Sequence, residues 1–165
     1  MKVHATQYKE QFNSHKDMLF DQVSKDIMAA MKARDKVALD ALRNIKKVFI
    51  EAKSAPGAND QLADDQALKI IQKLAKQGRD SAALFTQNGR QDLADGEMAQ
   101  VEVIERYLPK QLSTEEIEAA VKQIIAQTGA TSIKEMGKVM GTANKQLAGK
   151  ADGKTISEIV KKLLA

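Results

Sequence analysis

Apolar residues recur along the chain with the period of an α-helix, and no segment alternates in the manner of a β-strand. Four apolar stripes lie between residues 19 and 108, separated by a short polar break, a Pro- and Gly-containing loop at residues 54–60 and a polar turn at residues 87–92. Their members are Leu19, Val23, Ile27 and Met31; Leu39, Leu42, Ile45, Val48 and Phe49; Leu62, Leu68, Ile71, Leu74 and Ala75; Leu93, Met98, Val101, Ile104 and Leu108. The pattern predicts four helices, the last of which stops before Pro109.

The pattern changes after Pro109, where short helices are separated by glycine-containing turns. Ser113 with Glu116, and Ser132 with Glu135, have the spacing of capping boxes that open a helix. Asp152 has the position of a cap for a final helix that ends near the C-terminus. The sequence therefore predicts three short helices in this segment.

These elements predict an all-α protein with no alternating strand pattern and no internal repeat. We expect an N-terminal bundle of about four helices at residues 18–108 and a small three-helix C-terminal domain at residues 109–165. We expect residues 1–17 to be an N-terminal extension, and we attach no function to it.

Composition excludes several kinds of chemistry. The chain has no cysteine, so it forms no disulfide and no thiolate metal site. Its two histidines, His4 and His15, fit no metal-ligand spacing, and no pairing of nucleophile and base is recognisable. We therefore expect no catalytic residue, no metal and no cofactor. No apolar run approaches the ~18 residues of a membrane span, and no secretory signal is recognisable, so we expect a cytoplasmic protein without a membrane partner.

Positive charge is concentrated at the C-terminal end. Residues 130–165 contain seven lysines and three acidic residues, and this excess equals the formal net charge of +4 of the whole chain. A basic end of this kind favours a polyanionic partner. Nucleic acid is the first candidate.

One stretch, GKADGKT at residues 149–155, superficially resembles a phosphate-binding loop. Only three residues separate Gly149 from Gly153, whereas the phosphate-binding motif needs four between its glycines and a preceding strand. We therefore interpret the stretch as a turn between two helices.

The helix before this turn has two distinct faces. Met136, Val139 and Ala143 fall on an apolar face, and Lys134, Lys138 and Lys145 fall on the opposite one. Gly137 and Gly141 lie four residues apart along one flank, and two helical glycines cost ~2 kcal/mol relative to alanine. They indicate a close approach, either of another helix or of a nucleic-acid backbone. The simpler interpretation, a solvated lysine face, remains open here.

Any RNA contact in this part of the chain must dispense with base stacking, because no Phe, Tyr or Trp follows Tyr107. Lysines and glycine backbone suit phosphate and ribose contacts on a folded, double-stranded surface. Such binding is directed by shape and weakens as salt rises.

The segment NGRQDLADGEMAQVEVIERYLPKQLS at residues 88–113, followed by GKVMG and GKADGKTISEIVKKLL, resembles the GatB/YqeY family. The resemblance covers residues 18–165. Two departures are Lys150, where the family usually has Arg, and Ser157, where it has Asn. Lysine keeps the charge and loses the bidentate fork of arginine.

The resemblance implies that the C-terminal domain is similar to the tail of the B subunit of tRNA-dependent amidotransferase, which helps to hold tRNA while its attached Glu or Asp is amidated. It thus implies a tRNA-binding or amidotransferase-associated accessory protein, whose N-terminal bundle docks a protein partner. Carbon–nitrogen ligase activity with glutamine as amide donor would come only by family association. The alternative is a helical protein–protein interaction module. Together with the lysine pattern, the resemblance gives these candidate nucleic-acid contacts: Lys134, Gly137, Lys138, Gly141, Lys145, Gly149, Lys150, Asp152 and Lys154.

Overall fold

The computed structural model describes residues 17–165, and every regular element in that range is helical. The seven α-helices there are α1 (Met18–Ala33), α2 (Lys36–Lys53), α3 (Asp64–Gln87), α4 (Gln91–Glu105), α5 (Thr114–Thr128), α6 (Met136–Gln146) and α7 (Gly153–Leu164), with a 3₁₀ turn at Ile133–Glu135. The all-α prediction is confirmed for these residues.

The chain divides into two compact units, the first ending at Tyr107 and the second spanning Leu108–Ala165. The first contains α1 to α4, and the second contains α5 to α7 with the 3₁₀ turn. The N-terminal extension predicted at residues 1–17, including His4 and His15, lies outside the described residues except for Asp17.

Two aspartates form hydrogen bonds in opposite directions between the beginning of α1 and the segment that enters α3. The carboxylate of Asp17, at the N-cap position of α1, makes no cap bond to its own helix and instead accepts from the Leu62 N–H at 2.9 Å. In return, Asp64 in the first turn of α3 accepts from the Leu19 N–H at 3.1 Å. Lys53 at the end of α2 adds an ion pair to Asp17 at 3.7 Å. The Leu19 amide, which the start of α1 leaves unpaired, is thus satisfied by a residue distant in sequence.

A glycine brings α3 and α4 close together. Gly78 lies inside α3, and a Cβ placed there would overlap Cγ2 of Val101 on α4. Val101 itself is 1% exposed, so it has no room to move away. The backbone of α3 is therefore part of the surface against which α4 packs.

Three residues of the predicted apolar stripes lie on the outside of the first unit. Met31 on α1, and Leu93 and Met98 on α4, are exposed. The buried side of α4 is instead formed by Ala94, Val101, Val103 and Ile104. Leu93 and Met98 were wrongly assigned to the buried stripe, because the side of α4 that faces the core runs through Ala94, Val101 and Ile104.

Tyr107 connects the end of the first unit to the middle of α1. Its hydroxyl donates a hydrogen bond to the Asp26 carboxylate. Partial burial, together with this bond and the negative charge of Asp26, raises the pKa of Tyr107 well above its ordinary value of 10.0. The neutral phenol is therefore the form that the folded protein favours.

Gly78→Ala is expected to lower the free energy of unfolding by about 1–3 kcal/mol, because the added methyl group overlaps Val101. Gly96→Ala in α4 is the matched control, since a Cβ at Gly96 meets nothing within 4 Å. That control should raise stability by roughly 0.5–1 kcal/mol. Urea unfolding followed by circular dichroism measures both. Equal stabilisation by the two changes would contradict the close contact.

Tyr107→Phe is expected to cost about 1–2 kcal/mol at neutral pH by removing a hydrogen bond to a carboxylate. Because the folded pKa of Tyr107 lies above the unfolded one, the contribution is complete below about pH 10 and is lost as pH rises further. The stability difference between the wild-type chain and the Phe variant should therefore shrink at alkaline pH. Thermal unfolding of both chains, from neutral pH to above about pH 10, measures this difference. A stability difference that stays constant with pH would refute the prediction.

Candidate nucleic-acid interface

The second unit is held together by an aliphatic core without aromatic residues. The side chains buried in it are Ile117, Val121, Ile124, Ala130, Val139, Ala143, Leu147, Ala151, Ile156, Ile159, Val160 and Leu164. The predicted capping box at the start of α5 is confirmed: the Glu116 N–H donates to Ser113 Oγ, and the Ser113 N–H donates to Glu116 Oε2, each at 3.2 Å. This core fixes which sides of α6 and α7 reach solvent.

A second carboxylate organises the approach to α6. Glu135 Oε2 accepts from the Thr131 N–H at 2.6 Å and from the Ser132 N–H at 3.3 Å. The Thr131 amide is the main reason why the pKa of Glu135 is lowered, and the positive charge of Lys138 adds to the effect. The Glu135 carboxylate therefore stays ionised and offsets part of the charge of Lys138.

One face of α6, together with the turn before it, presents what we call the lysine face: Lys134, Gly137, Lys138, Gly141 and Lys145. All five residues are exposed, whereas Val139 and Ala143 on the opposite side are buried. Lys138 and Lys145 are seven residues apart, or ~10 Å along the helix, and Gly141 lies between them. The predicted division of this helix into a basic and an apolar face is thus present in the structure.

The glycines of the lysine face have open space beside them within residues 17–165. A Cβ built at Gly137 or at Gly141 meets no atom within 4 Å. The packing of the described residues therefore does not require glycine at either position, in contrast to Gly78. We expected a close approach to these glycines by another helix or by a nucleic-acid backbone. No helix of residues 17–165 makes that approach, and the nucleic-acid backbone stays an expectation.

The turn between α6 and α7 depends on Gly149. This residue is buried and has φ +72°, a left-handed conformation that L side chains rarely adopt. Its carbonyl accepts from Gln111 Nε2 at 2.6 Å, and the next carbonyl, that of Lys150, accepts from the Leu112 N–H at 2.9 Å. Gly149 thus shapes the turn from inside. Gln111 was assigned no role from the sequence, although it lies within the motif that carries the family resemblance.

Beyond Gly149 the turn presents charged side chains of both signs. Lys150, Asp152 and Lys154 are exposed. Asp152 occupies the N-cap position of α7, as predicted, but its carboxylate makes no side-chain cap bond. An exposed carboxylate between two lysines lowers the positive potential of this turn. This turn therefore carries less net positive charge than the lysine face.

Residues 17–165 contain neither a metal-ligand cluster nor a candidate transmembrane helix. That range contains no cluster of three or more His, Asp or Glu residues placed to hold a metal ion. None of its helices combines the length and the apolarity that a transmembrane segment needs.

Comparison with known proteins places the chain in a family. Residues 20–164 match the family described as Yqey-like protein. A protein of Kluyveromyces lactis named altered inheritance of mitochondria protein 41, mitochondrial, is 31% identical over 137 residues, which cover 81% of this chain and 69% of the relative. A protein of the same name from Pyrenophora tritici-repentis is 27% identical over 154 residues, which cover 90% of this chain and 82% of the relative.

The chain belongs to the Yqey-like protein family, and the resemblance noted from its motifs is confirmed. One expectation is corrected by the same comparison. The cytoplasmic location predicted from the sequence is wrong in the light of both relatives, whose names call them mitochondrial proteins. The absence of a recognisable signal was too weak an observation to carry that prediction.

Gly149→Ala is expected to lower the free energy of unfolding by about 1–2 kcal/mol, because alanine is strained in the left-handed conformation. Lys150→Ala, one residue further, should change stability by less than about 0.5 kcal/mol because its side chain is exposed. Thermal unfolding of the two variants measures both changes in stability. Equal losses of stability would contradict an internal role for Gly149 and a surface position for the Lys150 side chain.

Proposed function

We propose that this member of the Yqey-like protein family is a tRNA-binding accessory protein without chemistry of its own. The lysine face of α6, with Lys150 and Lys154 of the following turn, contacts the RNA. Residues 109–165 act as the RNA-contacting domain, and residues 18–108 act as a bundle that docks a protein partner.

The open flank of α6 is the observation that carries this proposal. Gly141 lies in the interior of α6, where glycine is unfavourable by ~1 kcal/mol relative to alanine. Nothing in the described chain needs the space that Gly141 leaves free. A phosphodiester backbone lying between Lys138 and Lys145 would use that space, since a side chain at residue 141 would hold it away from the helix.

The type of nucleic acid follows from what the second unit contains. Its exposed groups include lysines, amides and hydroxyls beside several carboxylates, and its sequence has no aromatic side chain on which a base could stack. Lysine acts as a point charge towards phosphate and reads no base sequence by itself. A folded RNA recognised by its shape, such as tRNA, therefore fits better than a single strand.

The link to amidation rests on the resemblance of the C-terminal domain to the tail of the amidotransferase B subunit. There the tail holds tRNA for chemistry that takes place elsewhere in the complex. We infer the same division of work here, in which this chain presents or retains tRNA for a separate enzyme. We assign no carbon–nitrogen ligase activity to the chain alone, because that activity would come only by family association.

A second candidate function, protein–protein interaction alone, is favoured by the outer surface of the first unit. Leu84, Leu93 and Met98 are exposed large apolar residues on α3 and α4. Residues 91–105 of α4 include five acidic and no basic residues. An acidic surface with apolar side chains suits a basic protein partner and repels RNA. This surface is compatible with the proposed docking role of the bundle.

The test is tRNA binding, measured by fluorescence anisotropy at about 50 and 200 mM salt. Lys138→Ala, Lys150→Ala and Lys154→Ala together should weaken binding at least tenfold and reduce the salt slope by about three. Lys47→Ala, Lys73→Ala and Lys76→Ala form the matched control, since these exposed lysines of the first unit give the same loss of charge. Equal effects of the two triple variants, or no binding at low salt, would refute the proposal.

Gly141→Ala separates close approach from simple charge attraction. The change should stabilise α6 by roughly 0.5–1 kcal/mol and weaken tRNA binding at the same time. Gly96→Ala, at an equally open position of α4, should stabilise the chain and leave tRNA binding unchanged. Unaltered binding by the Gly141 variant would mean that the flank is not in contact with RNA.

A further inference from the structure

The end of the α1–α2 hairpin carries exposed apolar side chains that the core does not use. Residues 31–37 are all exposed, without interruption. Met28, Met31 and Val37 have exposed fractions of 61%, 54% and 43%. Met28 and Met31 lie one helical turn apart on α1, and Val37 follows at the start of α2, so we treat the three as one apolar patch.

Cations surround this patch. Lys32, Arg34 and Lys36 lie in the same exposed segment, and none of them takes part in an ion pair with another residue of the range 17–165. The one acid in the segment, Asp35, is engaged as the cap of α2, where it accepts from the Ala38 N–H at 3.0 Å. We call Met28, Met31, Lys32, Arg34, Lys36 and Val37 the hairpin tip.

Arg34 places a charged side chain in the turn itself. It ends α1 with φ 54°, in the left-handed conformation for which glycine is preferred. Its guanidinium group adds a fixed positive charge to this exposed turn.

We propose that the hairpin tip binds the surface of a membrane that contains anionic lipids. The methionines and Val37 insert at the level of the headgroups, while Lys32, Arg34 and Lys36 pair with lipid phosphates and carboxylates. Peripheral binding of this type combines apolar insertion with electrostatic attraction, and neither contribution is sufficient by itself. No membrane-spanning helix is required, so the absence of one from residues 17–165 is no obstacle.

The composition of the hairpin tip favours a lipid surface over other partners. A partner helix docks in an apolar groove, whereas the hairpin tip is the exposed end of two helices joined through Arg34 and Asp35. Nucleic acid accounts for the cations and leaves the exposed methionines without a role. A lipid headgroup region receives both kinds of side chain.

Flotation of the full chain with vesicles tests the proposal. Vesicles with about 30% phosphatidylserine in phosphatidylcholine should bind the protein, and pure phosphatidylcholine should bind it far less. Lys32→Gln, Arg34→Gly and Lys36→Gln together should lower partitioning about 100-fold, since each cation contributes roughly fivefold. Glycine fits the backbone of residue 34, so this variant remains folded.

Met28→Ser with Met31→Ser should lower partitioning at least about tenfold even where charge is unchanged. The matched control is Leu84→Ser with Met98→Ser, which removes two other exposed apolar side chains from the first unit and should bind vesicles normally. The triple variant of Lys138, Lys150 and Lys154 should also bind normally, which keeps this result independent of the tRNA proposal.

Three outcomes would overturn the proposal. One is equal vesicle binding by the wild-type chain and by the Met28→Ser, Met31→Ser variant, because charge alone would then explain the binding. Another is loss of vesicle binding in the Lys138, Lys150 and Lys154 variant only. The third is failure of the wild-type chain to bind anionic vesicles. Weakened tRNA binding by the variant of Lys32, Arg34 and Lys36 would then make the tip part of a nucleic-acid surface.

Discussion

Close helix packing through small side chains is the constraint on which the structure of the first unit depends. Aromatic residues make up only 4% of the chain, and Phe49 is the aromatic residue among its fully buried side chains. The other buried side chains are aliphatic, and Ala41, Ala67 and Ala75 are among them. Gly78 lets the backbone of α3 approach Val101 on α4, where a Cβ would overlap the valine side chain. Leu84, Leu93 and Met98 on the same two helices are exposed.

The helices were predictable because their signals are local. Apolar periodicity, the box of Ser113 with Glu116 and the stop before Pro109 each involve only a few neighbouring residues. The exposure of Leu93 and Met98 was not predictable, since it depends on which helix lies beside α4. The hydrogen bonds of Asp17 and Asp64 were not predictable for the same reason, because a sequence pattern does not reveal a partner 45 residues away.

The candidate RNA site shows the same limit. That lysines opposite an apolar stripe reach solvent follows from helical geometry alone, and Lys138 and Lys145 are exposed as expected. The glycines of the motif look alike in sequence and differ in structure. Gly149 is buried with a left-handed backbone, whereas Gly141 is helical and open to solvent. Only coordinates distinguish a glycine that shapes a turn from one that leaves a surface accessible.

The hydrogen bond from Leu19 to Asp64 affects the order in which the chain acquires structure. The Leu19 amide receives its acceptor from a residue that is synthesised 45 positions later, so α1 emerges from the ribosome with its first turn incomplete. Contacts between residues so far apart carry a loop-closure cost before they bring any gain. The bond from Leu19 to Asp64 can therefore form only once α1 and α3 have met.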